Sequence, residues 1–363
     1  MIHDPSDYSL VGPGAKRAVE SGLVSAQWYH SQVPRDVMKQ LMRRSDGPAL
    51  RDTAIWLGAL LTFALLAIAL WGSWWAAAAL FCYGVLYGGA SDSRWHECGH
   101  GTAFKTRWMN NFVYQIACFM IMREPEVWRW SHSRHHSDTL IVGRDPEIPA
   151  MRPPHLLKIA SNILMIAATW GALKKIVRHA SGKFDPEELT YIPEGQMAKT
   201  IRIARIYLAL HLLPWALAAA SGSWLPPFLM GVLPTMYGGW FTLYVGLTQH
   251  VGLAYDVLDH RLNSRTVHVN PLTSFLYWNM NYHTEHHMFP MVPYHALPGL
   301  HAAIKHDLPA PYPGMISAYR EILSTLWRQR SDPAFYVRRE LPRSARAFRP
   351  EFHTQASLPE TSG

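Results

Sequence analysis

Two long stretches of this chain contain no charged side chain. Residues 53–91 and 206–255 have no Asp, Glu, Lys or Arg, whereas such residues are frequent on either side of each stretch. Each stretch is about twice the roughly 20 residues that a helix needs to cross the hydrocarbon core of a bilayer. Gly72-Ser73 interrupts the first stretch, and Ser221-Gly222-Ser223 interrupts the second. The pattern therefore predicts two helical hairpins, with spans at 60–70, 76–85, 208–220 and 228–247.

The polar segments between these stretches define the predicted topology. All Lys and Arg residues lie outside the hairpins and their tips, so the positive-inside rule places both termini and the polar blocks in the cytoplasm. Residues 1–9 lack an apolar core, and we expect no cleaved signal peptide. We expect a multi-pass protein of a bacterial inner membrane. Its predicted segments are a cytoplasmic lead (1–52), hairpin 1 (53–91), a cytoplasmic block (92–205), hairpin 2 (206–250), a second block (251–332) and a loosely ordered tail (333–363).

Histidines are concentrated in three clusters within the polar blocks. The clusters are HxxxH at His96 and His100, HxxHH at His132, His135 and His136, and HxxHH at His283, His286 and His287. Residues three and four apart share one face of a helix, so each cluster is predicted to aim its imidazoles at one point. His250 ends the predicted hairpin 2, where the last span would meet the cytoplasmic face. This distribution predicts a metal site at that face.

Two further apolar stretches, 108–122 and 159–173, are too short to span a bilayer comfortably. We interpret both as interfacial or re-entrant helices. A single span at 159–173 would place the second and third histidine clusters on opposite sides of the membrane, where they could not share a site.

Three kinds of metal chemistry fit parts of this pattern. His96-Glu97-Cys98-Gly99-His100 satisfies HExxH, in which two histidines bind zinc and the glutamate is the general base of a protease. A metal transporter would require ligands inside the spans, where His211 is the one histidine well within a predicted helix. A non-haem iron oxygenase with two metals would use all the clustered imidazoles, which are good ligands for iron. The third hypothesis accounts for most of the pattern.

The order HxxxH, HxxHH, HxxHH around two hairpins resembles the membrane fatty acid desaturase-like superfamily over about residues 54–306. The segments Trp130–His136, Thr248–His250 and Asn281–Pro290 resemble the same family. The resemblance implies an all-α integral membrane fold of four transmembrane helices, with a cytoplasmic helical cap that carries a di-iron site. It also implies dioxygen as co-substrate, the eight clustered histidines as iron ligands, and His250 as an additional ligand. The expected reaction is desaturation of an acyl lipid or related aliphatic substrate, or hydroxylation of an alkyl, terpenoid or amino-acid-like one.

The first cluster is shorter than the HxxxxH typical of acyl-CoA desaturases, so an acyl-CoA substrate is less favoured. The sequence has no His-Pro-Gly-Gly of a cytochrome b5 domain, and its three cysteines cannot hold an iron–sulfur cluster. We therefore expect a separate electron donor, such as a ferredoxin-like protein with its reductase. The net charge of +8 suits contact with anionic membrane lipid, and an acidic redox partner could also bind such a surface. Nucleic-acid-binding motifs are absent from the sequence, and no nucleic acid partner is expected.

Three carboxylates near the clusters are candidates for orienting the imidazoles. Glu97 and Glu285 lie between clustered histidines, and Asp145 follows the second cluster. Carboxylates that accept the second ring N–H of a metal-bound histidine are common around metal sites. The alternatives are that both glutamates are exposed helix residues and that Asp145 forms a turn with Pro146.

Overall fold

The computed structural model describes residues 3–24 and 26–348, and this part is helical, with two isolated β-bridges and no longer strand. The α-helices are α1 (Pro13–Glu20), α2 (Arg35–Leu41), α3 (Asp46–Ala69), α4 (Trp74–Gly84), α5 (Ala90–His100), α6 (Arg107–Met120), α7 (Pro125–Ser137), α8 (Leu156–Ser161), α9 (Ile166–Ala180), α10 (Met197–Ser221), α11 (Leu225–Leu229), α12 (Val232–Gly238), α13 (Trp240–His250), α14 (His260–Asn263), α15 (Pro271–Leu276), α16 (His283–Met288), α17 (Leu297–Ile304) and α18 (Met315–Arg328). The predicted all-α class is confirmed.

The first uncharged stretch forms a hairpin of α3 and α4. Gly72, at the predicted break, has a φ of +88°, a left-handed conformation that glycine adopts without steric cost. The returning arm of this hairpin continues from α4 through a π-helical segment, Val85–Gly89, directly into α5. A π-segment widens the helix locally and is often found close to functional sites. The arm therefore carries the chain from the hairpin tip to the first histidine cluster.

The second uncharged stretch also turns back on itself, but its returning arm is not the single helix that we expected over 228–247. It is divided into α11, α12 and α13. Two features of the sequence explain the division. Pro226 and Pro227 start the short α11 because proline suits the first turn of a helix. Gly231, with a φ of +78°, then breaks the helical path before α12.

Glycines allow the two returning arms to pack closely. A Cβ atom on Gly238 would lie 1.8 Å from the carbonyl oxygen of Gly84, and one on Gly88 would lie 2.9 Å from the carbonyl oxygen of Pro234. Small residues at such crossings let helix backbones approach, as is common in membrane bundles. The contact between α4, the π-segment and α12 therefore fixes the distance between the arms that end at His100 and His250.

Two helical segments among the described residues are long and apolar enough to cross a membrane, Arg35–Ala69 and Glu194–Ser221. The segments Leu156–Leu164 and Ile166–Ala180 pass the same test together but are bent by 82°. The bend lies at Met165, which has a φ of +51°. It falls within the stretch 159–173, for which an interfacial or re-entrant helix is expected.

The segment before α2 and the chain after α18 are held to the core by one buried carboxylate. Asp307 accepts hydrogen bonds from the Tyr29 and Ser31 hydroxyls, both at 2.6 Å, and from the backbone N–H of Arg346 at 2.8 Å. Arg261 pairs with it at 2.9 Å. The tail from residue 333 is expected to be loosely ordered, and in the structure the backbone N–H groups of Val337 and Arg346 donate hydrogen bonds to the carbonyl of Gly252 and to Asp307. Residues 349–363 of that tail lie outside the described residues.

A second buried ion cluster ties α9 to the start of α7, the helix that carries the second histidine cluster. His179 is fully buried, and its Nδ1 and Nε2 lie 2.5 Å and 2.9 Å from carboxylate oxygens of Glu124 and Glu188. Both ring nitrogens can donate only in the imidazolium form. Burial opposes this charge, but the two carboxylates outweigh it and raise the pKa of His179 to about 9.

We expect the His179→Gln variant to be less stable than the wild type at pH 6, by about 3 kcal/mol from the size of the pKa shift. The folded-state pKa lies above the unfolded value of 6.5. The stabilisation is therefore fully present below pH 6.5 and is lost as the pH rises through about 9. Thermal unfolding in detergent should show the gap between the two proteins closing by pH 10. A gap that is the same at pH 6 and pH 10 would contradict a charged His179, and the exposed His306→Gln provides the control.

Candidate metal centre

Four helices bring the nine predicted histidines together. His96 and His100 lie at the end of α5, which stops because Gly101 adopts a left-handed φ of +69°. The second cluster lies in the last two turns of α7, and the third forms most of the short α16. His250 is the last residue of α13. The structure therefore joins the ends of both hairpin arms to the two HxxHH helices.

The ring nitrogens form two adjacent groups. In the first group, one nitrogen of each residue lies within 4.8 Å of the others, and the members are His96, His100, His132, His136 and His286. The Nε2 atom of His96 lies 2.6 Å from that of His286 and 3.2 Å from that of His132. Five imidazoles thus converge on one point.

The second group contains the other four histidines. The ligand atoms of His135, His250 and His287 lie within 4.8 Å of one another. His283 joins them, because its Nε2 lies 2.9 Å from that of His250 and 3.0 Å from that of His287. The rings of His136 and His287 stack at 4.3 Å between centroids. The two groups are therefore in direct contact.

The expectation that each HxxHH aims all its imidazoles at one point is wrong. In α7, His132 and His136 face the first group and His135 faces the second. In α16 the assignment is reversed, because His286 faces the first group while His283 and His287 face the second. Neighbouring residues on an α-helix point about 100° apart, so the adjacent pair in HxxHH diverges. Each HxxHH helix thereby contributes to both groups.

Four histidines have their second ring nitrogen within hydrogen-bond distance of an oxygen atom, and one of them is His287, whose Nδ1 lies 3.2 Å from Thr139 Oγ1. The Nδ1 of His132 lies 3.0 Å from Glu147 Oε2, and that of His135 lies 2.9 Å from Asp145 Oδ2. The Nδ1 of His250 lies 2.8 Å from the backbone carbonyl of Asn263. When Nδ1 donates to these acceptors, the Nε2 lone pair of each ring is directed towards the other histidines of its own group, as in known metal-bound histidines.

The electrostatics favour neutral imidazoles, which is the form that binds metal. Burial, reinforced by the neighbouring histidines, lowers the pKa of six of them well below 6.5: His96, His100, His136, His283, His286 and His287. His135 differs. Burial also opposes its charge, but the Asp145 carboxylate raises the pKa of His135 above 6.5.

Glu97 and Glu285 behave in neither of the ways that we considered. Both are completely buried, so they are not exposed helix residues, and neither accepts a hydrogen bond from a clustered histidine. Glu97 accepts from the Thr102 hydroxyl at 2.6 Å and the Tyr294 N–H at 3.0 Å. Glu285 accepts from the Thr266 hydroxyl at 2.5 Å and also contacts His301. These carboxylates fix α5 and α16 to the neighbouring loops.

Sequence reasoning missed Glu147 and Asn263. Glu147 follows the predicted candidate Asp145 by two residues, and the Glu147 backbone N–H donates to Asp145 Oδ1 at 2.7 Å. Two carboxylates in one turn after a histidine cluster were a usable signal. Asn263 left no such signal, because it acts through its backbone carbonyl, which every residue type possesses.

The donor set fits a pair of metal ions. The first group has five imidazoles and the second has four, and no carboxylate oxygen of the described residues belongs to either group. Where the proton is on Nδ1, as in His132, His135 and His250, the Nε2 atom carries only a lone pair and cannot donate to a neighbouring Nε2. The buried Nε2 of His100 also has no hydrogen-bond partner among the described residues. Imidazole suits iron as well as zinc, copper and nickel. The residues therefore fit two iron ions.

Comparison with known proteins places this site in a family. The fatty acid desaturase family model matches residues 72–319, which include all nine histidines. The chain therefore belongs to the fatty acid desaturase family. It is 26% identical over 229 residues to a Delta(12)-acyl-lipid-desaturase of Punica granatum, covering 56% of this chain and 58% of that protein.

A second relative is the Delta(5) fatty acid desaturase fat-4 of Caenorhabditis elegans. It is 23% identical over 236 residues, covering 56% of this chain and 51% of the relative. The matched part of the chain thus corresponds to somewhat more than half the length of each of these curated relatives.

Proposed function

We propose that this chain is a membrane-bound di-iron oxidoreductase that uses dioxygen and external electrons to desaturate an acyl lipid or a related aliphatic substrate. The observation that carries the proposal is the convergence of nine imidazoles in two adjacent groups, all within the family match. The names of both curated relatives describe acyl desaturases. We propose the nine histidines as the iron ligands.

Two bound iron ions would supply the redox chemistry by which dioxygen attacks an unactivated C–H bond. The residues of the chain hold and enclose the reacting centre. Seven of the nine histidines are buried, and His100 and His136 are partly exposed. Water is therefore kept from most of the site, which strengthens electrostatic interactions and limits side reactions. Asp145 and Glu147 maintain the orientation of His135 and His132.

We propose that both hairpins cross the bilayer, giving four transmembrane helices with the site on the cytoplasmic side. Exposed tryptophans at the two tips support this arrangement, since tryptophan is enriched at membrane interfaces. They are Trp71, Trp74, Trp75 and Trp224. Exposed leucines and isoleucines cover the outward sides of α3 and α10. Both returning arms lead away from these tips and end at histidines of the site.

We also propose that a separate ferredoxin-like protein, with its reductase, supplies electrons at the cytoplasmic face. The support is the sequence itself, which contains no cytochrome b5 signature and only three cysteines, without paired spacing. Mixed with such a donor, the enzyme should require both dioxygen and reductant. Turnover in strictly anaerobic buffer would contradict the proposal.

The geometry argues against the zinc protease alternative. Its general base would be Glu97, which must reach a water bound between His96 and His100. The carboxylate is instead completely buried and bonded to Thr102 and the Tyr294 backbone. Three further histidines from α7 and α16, His132, His136 and His286, also surround that position.

Two measurements test the function. Metal analysis of detergent-purified protein is expected to find about two irons per folded chain, since the two groups offer separate positions. Mass spectrometry of lipids and metabolites from an expression host with a ferredoxin system should then show a product two hydrogens lighter than its precursor. A product heavier by one oxygen would identify a hydroxylase on the same scaffold. About one zinc and no iron would overturn the proposal.

A further inference from the structure

A cavity of about 370 Å³ leads to the first histidine group. Four of the five histidines in that group line it: His96, His100, His132 and His136. Four aromatic side chains form another part of its wall, namely Trp95, Tyr114, Trp128 and Trp130. His100 and His136 are partly exposed and Ser133 is exposed, so the cavity opens on the side of these residues. Its size is in the range of small-molecule pockets.

One charged side chain lines this cavity, and it is Arg129. The guanidinium carbon lies 4.5 Å from the centroid of the Tyr114 ring. No carboxylate pairs with Arg129 among the described residues, whereas Arg123 and Arg134 on the same part of the chain are both paired. An arginine held by an aromatic ring without an anion keeps its hydrogen-bond donors available for a ligand.

The position of Arg129 on α7 relates it directly to the metal ligands. His132 and His136 follow it by three and seven residues, so the three side chains lie on one face of the helix. The axial separations are about 4.5 Å and 10 Å at a rise of 1.5 Å per residue. A group bound at Arg129 would thus lie only one or two helical turns from the first histidine group.

Two tryptophans of the cavity wall also carry donors. The indole N–H groups of Trp95 and Trp130 are buried and have no acceptor among the described residues. Among the described residues, no Asp or Glu lines the cavity. One guanidinium and two unused indole donors, without a carboxylate, favour an anion over a cation in this part of the cavity.

We propose that this cavity binds the substrate by an anionic group, a carboxylate or a phosphate ester, which Arg129 holds at the rim while the aliphatic part extends along the aromatic wall. The inference rests on the proposed function, because it names the substrate class of that site. It also implies that the oxidised carbon lies near the anionic end, since the guanidinium and the histidines are close on one helix.

Binding of decanoate and of uncharged decanol tests the proposal. The full-length protein, purified with its metal, is placed in phosphatidylcholine nanodiscs and titrated by calorimetry against empty nanodiscs. Loss of a hydrogen bond to a charged group should weaken decanoate binding by about 10-fold to 100-fold in Arg129→Gln. Decanol binding should be unchanged, and Arg129→Lys should retain part of the decanoate affinity, since it keeps the charge.

Arg330→Gln is the matched control. The guanidinium carbon of Arg330 also stacks on an aromatic ring, 4.3 Å from Trp327, and the side chain is exposed and does not line the cavity. This variant should bind decanoate as the wild type does. Equal loss of affinity in both variants would overturn the proposal, because it would reflect general surface charge.

Unchanged decanoate affinity in Arg129→Gln would also overturn it. If the same variant retained less phosphatidylglycerol during purification, Arg129 would be a contact for a bilayer headgroup rather than for the substrate. The assay needs no turnover. A protein without iron or product would therefore refute the proposed function, while the role of Arg129 would still be decided by the affinities.

Discussion

The His250→Ala variant is expected to retain only about one iron per folded chain and to lose catalytic activity by at least about 100-fold, as severely as His135→Ala. The Nε2 of His250 lies 2.9 Å from that of His283, and its Nδ1 is held by the Asn263 carbonyl. Removing the side chain leaves three imidazoles and a void in the buried second group. Iron content per folded chain and product formation measure the effect.

His211→Ala is the control for this experiment. His211 is also buried and lies within the second uncharged stretch, but its ring stacks on Phe119 at 4.7 Å between centroids and belongs to neither histidine group. This variant should keep most of its iron. A His250→Ala protein with a full complement of both irons would show that His250 is not a ligand.

The histidines of the candidate metal site could be predicted from the sequence, because it shows both their spacing and their location relative to the uncharged stretches. His250 was found in this way, from its position at the end of a hairpin arm. The division of each HxxHH between two groups follows from helix geometry and could also have been predicted. Spacing of three or four residues indicates a shared helix face, but it does not show that the adjacent pair in each HxxHH diverges by about 100°.

Other features depend on tertiary contacts that no local pattern contains. In the returning arm of hairpin 2, Gly231 is a local signal for the break before α12. The packing of Gly238 against Gly84 joins residues far apart in the chain, so the local pattern does not indicate it. Glu97 and Glu285 lie between ligands in sequence, but their carboxylates bond to Thr102 and Thr266. Proximity along the chain therefore did not indicate which carboxylates contact the imidazoles.

Asp145→Asn should selectively weaken the second histidine group. Both carboxylate oxygens of Asp145 lie within hydrogen-bond distance of His135 Nδ1. In addition, Oδ1 accepts from the backbone N–H of Glu147 at 2.7 Å, and Oδ2 accepts from that of Leu140 at 2.8 Å. An asparagine would point an NH2 donor at one of these donors. The orientation of His135 and the turn would both be disturbed. Metal titration is expected to show a loss of about 10-fold to 100-fold in affinity for one of the two ions.

Glu147→Gln should produce the complementary defect, because its carboxylate accepts from His132 Nδ1 at 3.0 Å and from the Ser131 hydroxyl at 2.7 Å. His132 belongs to the first group and His135 to the second. Asp145→Asn should therefore still bind the ion of the first group tightly, and Glu147→Gln should still bind that of the second group tightly. The double variant should bind neither ion tightly. Site assignment requires a spectroscopic probe, such as cobalt substitution followed by absorption spectroscopy. If both single variants weakened the same ion, the division of the nine histidines into two separate metal positions would be wrong.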